Sequence, residues 1–181
     1  MTAVAIPLPD PPLSQGAVTL RPWARDDAGA LVCAWADPDI ARWTGVPERT
    51  DRLAAERWIA GDAHRRDHGL ALDLVVDIDG VVVGEVGLAA FDPAARTAEI
   101  GWWVAAEQRG RGLATLAARL LAEWATDELC VDLVVARCQA ANPASSAVAR
   151  AAGFSPFASA DGDDVEEWRF VEAASRGTVP S

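Results

Sequence analysis

The sequence predicts one α/β domain in which strands and helices alternate around a mixed, mostly antiparallel sheet. Three observations predict it. Strand-like and helix-like runs follow one another along 181 residues that are 51% hydrophobic, without a repeat or a second composition regime, which suits one buried core. The pair Asp79-Gly80 between two β-rich runs is a hairpin signal. Over residues 97–121 a strand, a glycine-rich turn and an amphipathic helix succeed one another.

Residues 1–16 are proline-rich, with neither a basic n-region nor an apolar h-region, and are expected to be an extended or disordered tail. The domain is placed at 17–172 and a second tail at 173–181. Val18 to Pro22 reads as the first strand. A helix follows with Asp26 or Asp27 as N-cap, and Leu31 and Trp35 lie four apart on one face. Arg42 to Arg49 reads as irregular, and a second helix runs from Thr50 or Asp51 to about Arg66. Leu70 to Ile78 is a strand, Val81 to Phe91 returns antiparallel, and Asp92-Pro93 turns into the strand Thr97 to Val104. The helix after the glycine turn is expected to bury Leu113, Leu116, Ala117, Leu120 and Trp124 at the 3.6-residue period. Leu133 to Cys138 is β-rich. Asn142 as N-cap, Pro143 at the first helical position and Gly153 beyond the end mark a short helix. After an acidic turn at Asp161 to Asp164, residues 164–172 form the last strand.

The glycine turn, Arg109-Gly110-Arg111-Gly112-Leu113-Ala114, has the makings of a phosphate cradle. Glycine lets the backbone approach an anion, and the free N–H groups of the next helical turn point at it. Arg109 and Arg111 add charge-assisted donors. A Walker A loop needs Lys before Ser or Thr, and this chain has no lysine. The dinucleotide fingerprint wants a small residue where Thr115 stands, with an acidic residue closing a second strand, and neither is found.

What remains, Arg109-x-x-Gly112-x-Ala114, resembles the acetyl-CoA pyrophosphate loop of the GNAT superfamily of N-acetyltransferases. Asn142-Pro-Ala-Ser145-Ser-Ala-Val148-Ala149-Arg-Ala-Ala-Gly153-Phe154 resembles the superfamily's second signature, and the two occur in the expected order with one strand between them. The resemblance spans about residues 17–172 and is nearest to the RimJ/RimL-type branch through Ser145, the Leu20-Arg21-Pro22 opening and the order of early elements. It implies a central mixed sheet of about seven strands, splayed between strands 4 and 5, flanked by helices.

Function follows as what the resemblance implies: acetyl transfer from acetyl-CoA to a primary amine by direct attack in a ternary complex. The acceptor is a protein N-terminal α-amine, a polyamine or aminoglycoside, or a small metabolite amine, and a longer acyl group such as succinyl stays open. The pantetheine arm pairs with the backbones of Trp103 and Val104, and Asn142 faces it. The Trp103 N–H stabilises the oxyanion, and Glu99 is the base. Glu85 on the preceding strand offers the same charge. The family's tyrosine position is Ala149, and the chain has no tyrosine, so Ser145 is the candidate proton donor. A thiol leaves readily, its pKa being ~8.5 by analogy with cysteine. The missing tyrosine also motivates a contrasting reading, a non-catalytic acyl-CoA sensor.

Composition bears on partners. The net charge of -11 argues against nucleic acid and anionic membranes and favours a cationic substrate. No window approaches the ~20 apolar residues of a membrane span, and a cytoplasmic location is expected. Cys33, Cys130 and Cys138 lack metal spacing and read as buried reduced thiols. His64 and His68 read as a solvated helix end and not a metal site. Most tryptophans read as core, while Trp43 and Trp102, with Glu85, are candidates for the acceptor site. Self-association as a homodimer stays open.

Overall fold

The computed structural model describes residues 4–157 and 164–171. Its strands are β1 (Leu13–Gln15), β2 (Val18–Pro22), β3 (Ala71–Ile78), β4 (Val81–Asp92), β5 (Thr97–Val104), β6 (Leu133–Gln139), β7 (Ser155–Phe157) and β8 (Val165–Val171). Its helices are α1 (Ala28–Ala36), α2 (Pro38–Trp43), α3 (Arg52–Ala60), α4 (Asp62–Asp67), α5 (Leu113–Glu128) and α6 (Pro143–Ala151). The strands form one sheet in the order β1-β2-β3-β4-β5-β6-β8-β7. All neighbours are antiparallel except β5 and β6. The hairpin turn has φ of 54° at Asp79 and 82° at Gly80, the left-handed pair that a tight turn between twisted strands requires.

Alternation along the strands sorts the side chains onto two faces. Leu72, Leu74, Val76, Val86, Leu88, Ala98 and Val134 pack beneath α5 and α6 in one cluster. Val75 joins Trp23, Leu31, Trp35, Ala55 and Ile59 beneath α1 and α3 in another. The candidate site lies on this second face and in the gap between β5 and β6. Those strands pair only from Thr97↔Leu133 to Ile100↔Ala136, so Gly101 to Val104 have no strand partner on that side.

Several expectations are corrected. The sheet has eight strands, because short edge strands β1 and β7 flank the expected ones. The N-terminal segment is extended but attached: Leu13 pairs with Leu20, Ile6 is buried, and the Ile6 N–H donates to the Arg66 carbonyl at 2.9 Å. The helix expected from 50 or 51 to 66 divides into α3 and α4 at Gly61. Part of the segment read as irregular is α2. There Asp37 caps the helix by accepting from the N–H groups of Asp39 at 2.8 Å and Ile40 at 3.1 Å, with Pro38 in the first turn.

In α5 the period holds and the face differs. Leu113, Ala117, Ala118, Leu121, Ala122 and Ala125 are buried, while Leu116, Leu120 and Trp124 are only partly buried at its flanks. Alanines let the helix lie close to the sheet, and the bulky residues fill the margins. Of the cysteines only Cys138 is buried; Cys33 and Cys130 are exposed, and all three are free. The expected turn residues 161–163 and the tail 173–181 lie outside the described residues. No helix among the described residues is long and apolar enough to cross a membrane.

Candidate active site

Donor cradle and acceptor face open into one cavity of about 1200 Å³. Of the residues singled out from sequence, Trp43, Glu85, Glu99, Trp102, Trp103, Val104, Arg109, Gly110, Gly112, Leu113, Ala114, Asn142 and Ser145 all line it. Arg111 does not; its guanidinium turns to Gln108. The cavity also takes in Gly101, Arg137 and Cys138. These were not picked out, although strand alternation places Gly101 and Arg137 on the same face as Glu85.

The cradle begins where β5 ends. Gly110 and Gly112 have φ of 74° and 75°, and a Cβ built on either would meet nothing within 4 Å. The loop is therefore left-handed at two positions and leaves open space in front of its backbone. Gly112 is the N-cap of α5 and no side chain caps that helix, so its first N–H groups are orphan donors facing the cavity. A diphosphate fits this chemistry.

The gap beside it supplies a second row of donors. The Ala105 N–H donates to the Val83 carbonyl at 3.0 Å, and the register sets Trp103 opposite Glu85 and Gly101 opposite Gly87. Hydrogen-bonded pairs alternate along an antiparallel ladder. Gly101 and Trp103 thus spend their backbone groups on β4, while Trp102 and Val104 turn theirs into the gap. The expected oxyanion donor, the Trp103 N–H, therefore points to β4, and the N–H groups on the open side of β5 are those of Trp102 and Val104.

The two candidate carboxylates sit in different surroundings. Glu85 accepts from the indole N–H of Trp23 at 2.8 Å and of Trp103 at 3.1 Å. Burial, with the charge of Asp73, pushes its carboxyl up to about 8 against the pull of these indoles and of Arg65. Glu99 instead forms an ion pair with Arg137, which also reaches Glu167 at 3.7 Å. Glu99 is thus committed to an ion pair with a neighbouring strand, whereas Glu85 has no cation among the described residues in hydrogen-bonding contact.

Across the gap stands the N-terminus of α6. The Asn142 side-chain oxygen accepts from the Ser145 N–H at 3.2 Å, leaving its amide NH₂ for the cavity. Ser145 lines the wall, whereas its neighbour Ser146 is buried and donates to Glu166 at 2.6 Å. Ala149 is fully buried and is not part of the cavity wall, so a tyrosine there would meet the core. The Cys138 thiol is pushed up to about 11 by burial and by Glu166, the reverse of what a nucleophilic cysteine needs.

The other chemistry-bearing features fall elsewhere. His64 and His68 stack with ring centroids 4.0 Å apart, and the His68 Nδ1 is 2.9 Å from the His64 carbonyl. Among the described residues no three His, Cys, Asp or Glu side chains gather as a metal group would require. Arg109, expected on the phosphates, points to Asp37 and Asp39 instead.

The acetyltransferase (GNAT) domain model matches residues 17–155, most of the described fold and both signature segments. The chain belongs to the GNAT acetyltransferase family. Among curated relatives, a putative ribosomal N-acetyltransferase, YdaF, of Bacillus subtilis is 38% identical over 76 residues, a stretch covering 42% of each chain. The uncharacterized N-acetyltransferase p20 of Bacillus licheniformis is 25% identical over 71% of this chain and 73% of its own. The GNAT fold recurs in Mycobacterium smegmatis RimJ in complex with CoA-disulfide, with a TM-score of 0.76 at 24% identity over 86% of this chain and 82% of that one. It recurs in RimL, a ribosomal L7/L12 α-N-protein acetyltransferase in complex with coenzyme A, with a TM-score of 0.76 at 20% identity, covering 88% and 96%. The microcin C7 self-immunity acetyltransferase MccE, in complex with acetyl-CoA and AMP, aligns with a TM-score of 0.74 at 21% identity over 87% and 93%. The three solved structures share the fold of this chain, and the curated relatives are N-acetyltransferases by name.

Proposed function

We propose that this protein transfers the acetyl group of acetyl-CoA to a primary amine, with the free α-amine of a protein N-terminus as the first acceptor class to test. One observation carries the reading: the unpartnered edge of β5, the uncapped start of α5 and the Glu85 carboxyl all face a single cavity. The pyrophosphate lies on the N–H groups of Gly112 to Ala114, and the pantetheine arm runs along Trp102 and Val104 with Asn142 opposite. Glu85 takes the proton from the acceptor ammonium. The amine nitrogen then attacks the thioester carbon while the Trp102 N–H faces the oxygen on which charge builds. As the C–N bond forms and the C–S bond breaks, the nitrogen gives up its second proton, and CoA leaves as thiolate and gains that proton by relay through Ser145 or water.

The choice of a protein N-terminus rests on the names of the ribosomal relatives and on an acceptor face that is open to solvent at Ala89 and Gly101. A polyamine, aminoglycoside or small metabolite amine fits the same carboxylate-lined floor. Free-thiol release from acetyl-CoA, measured against peptides with unblocked N-termini, polyamines and small amines, tests the proposal. Amine-dependent release is expected, fastest with a peptide. Binding of acetyl-CoA without release for any amine would replace the enzyme with an acyl-CoA sensor.

A further inference from the structure

The cation expected on the phosphates already uses each of its three nitrogens within the protein. The Arg109 guanidinium donates from Nε to the Val104 carbonyl at 3.1 Å, from Nη1 to Asp39 at 2.8 Å and from Nη2 to Asp37 at 2.8 Å. Its partners are 70 and 72 residues away in sequence. Asp37 is the N-cap of α2 as well, its other oxygen accepting from Asp39 and Ile40. One carboxylate thus starts the helix and fastens it to the donor loop.

We propose that Arg109 is a positioning residue that ties α2, and the acceptor wall it carries, to the donor loop through Asp37 and Asp39, and is not itself a ligand of the pyrophosphate. The proposal rests on the acyltransfer reading above, whose cavity both ends of this strut border. On one side α2 brings Ile40 and Trp43 to the cavity; on the other stand Gly110 and Gly112. Otherwise α2 packs chiefly on α1, so the Arg109 pairs are its tie to the loop that follows β5. Moving the guanidinium onto a phosphate would break both pairs. It would also leave the Asp37 carboxylate without its cation at the mouth of a site receiving more negative charge. One new phosphate contact would replace two ion pairs and a bond to the Val104 carbonyl. The backbone donors of the loop bind an anion without that penalty.

The test compares the full-length wild type with Arg109→Met and with the double variant Asp37→Asn/Asp39→Asn. Asparagine caps a helix as well as aspartate does, so the double variant removes the ion pairs and keeps the cap. Two readouts are used: calorimetric titration with CoA, and hydrogen exchange of the peptide covering residues 37–44. In both variants amide exchange in α2 is expected to quicken about tenfold or more, while the CoA dissociation constant changes by less than about threefold. If a free peptide N-terminus is acetylated, its KM rises about fivefold or more with kcat nearly unchanged, the split expected of a misplaced wall. Loss of CoA affinity by about tenfold or more in Arg109→Met, the value of a lost charge-assisted bond, would make Arg109 a phosphate ligand and overturn the proposal. Unchanged exchange in α2 would overturn it as well. Should Arg109→Met fail to fold, the double variant decides by the same two readouts. Failure of the wild type to bind CoA would instead strike the donor site itself.

Discussion

Glu85 lies midway along β4 where only one of the two sheet faces admits a ligand, and its surroundings set its chemistry. Two indole N–H groups hold the carboxylate, yet burial and Asp73 outweigh them and bring the group close to half-ionised in mildly alkaline solution. That shift has a stability signature. The carboxyl pKa is raised from the ordinary 4.5 to about 8, so between these values the folded chain keeps a proton that the unfolded chain has lost. Stability is then greatest below the lower value and declines as pH rises through the upper one. Glu85→Gln, which mimics the neutral carboxyl, is expected to remove this decline, so that denaturation midpoints of variant and wild type converge at about pH 5 and separate by about pH 9, with the variant the more stable. Parallel midpoints across the range would mean an ordinary carboxylate. From the sequence alone Glu99 and Glu85 are nearly equivalent acids on adjacent strands. What separates them is Arg137 on the neighbouring β6, distant in sequence, which forms an ion pair with Glu99 and not with Glu85.

At the scale of elements, local signals hold where the element explains itself. Asn142, Pro143 and Gly153 delimit α6 as expected, and Asp79-Gly80 turns the hairpin. Asn142→Ala should remove the cap and lower stability by about 1 kcal/mol, measured as a shift in the urea midpoint at unchanged slope, and weaken CoA binding as well. A loss of stability with unaltered CoA affinity would confine Asn142 to capping. Short or context-bound elements are less legible. Strands β1 and β7, three residues each, have no periodicity to read and exist through pairing with β2 and β8. The buried face of α5 is set by how closely its alanines approach the sheet, whereas hydrophobicity alone favours Leu116, Leu120 and Trp124. The donor of the gap is a matter of register: Trp102 and Trp103 are neighbours, and only the ladder between β4 and β5 decides which N–H faces outward. The partners of Arg109 come from α2, which has no periodicity of its own to announce it.

The whole molecule is a sheet whose two faces do different work. One carries the core beneath α5 and α6; the other, with the gap between β5 and β6, carries the site. Because the donors of the cradle and the gap converge only in the folded chain, acetyl-CoA is expected to bind the native state alone. At a hundredfold excess over its dissociation constant such a ligand adds about 2.7 kcal/mol, which for a domain of this size raises the melting temperature by several degrees. No shift at saturation would contradict the assignment of the cradle.

The central claim, acetyl transfer to an amine with Glu85 as its base, is tested most directly by the pH dependence of amine-dependent thiol release from acetyl-CoA in wild type and Glu85→Gln. The wild-type kcat/KM is expected to rise with pH through about 8, the value set by burial of Glu85, and the variant to lose this limb along with about 10²-fold or more of its rate. A Glu85→Gln enzyme with the rate and pH profile of the wild type would contradict the account.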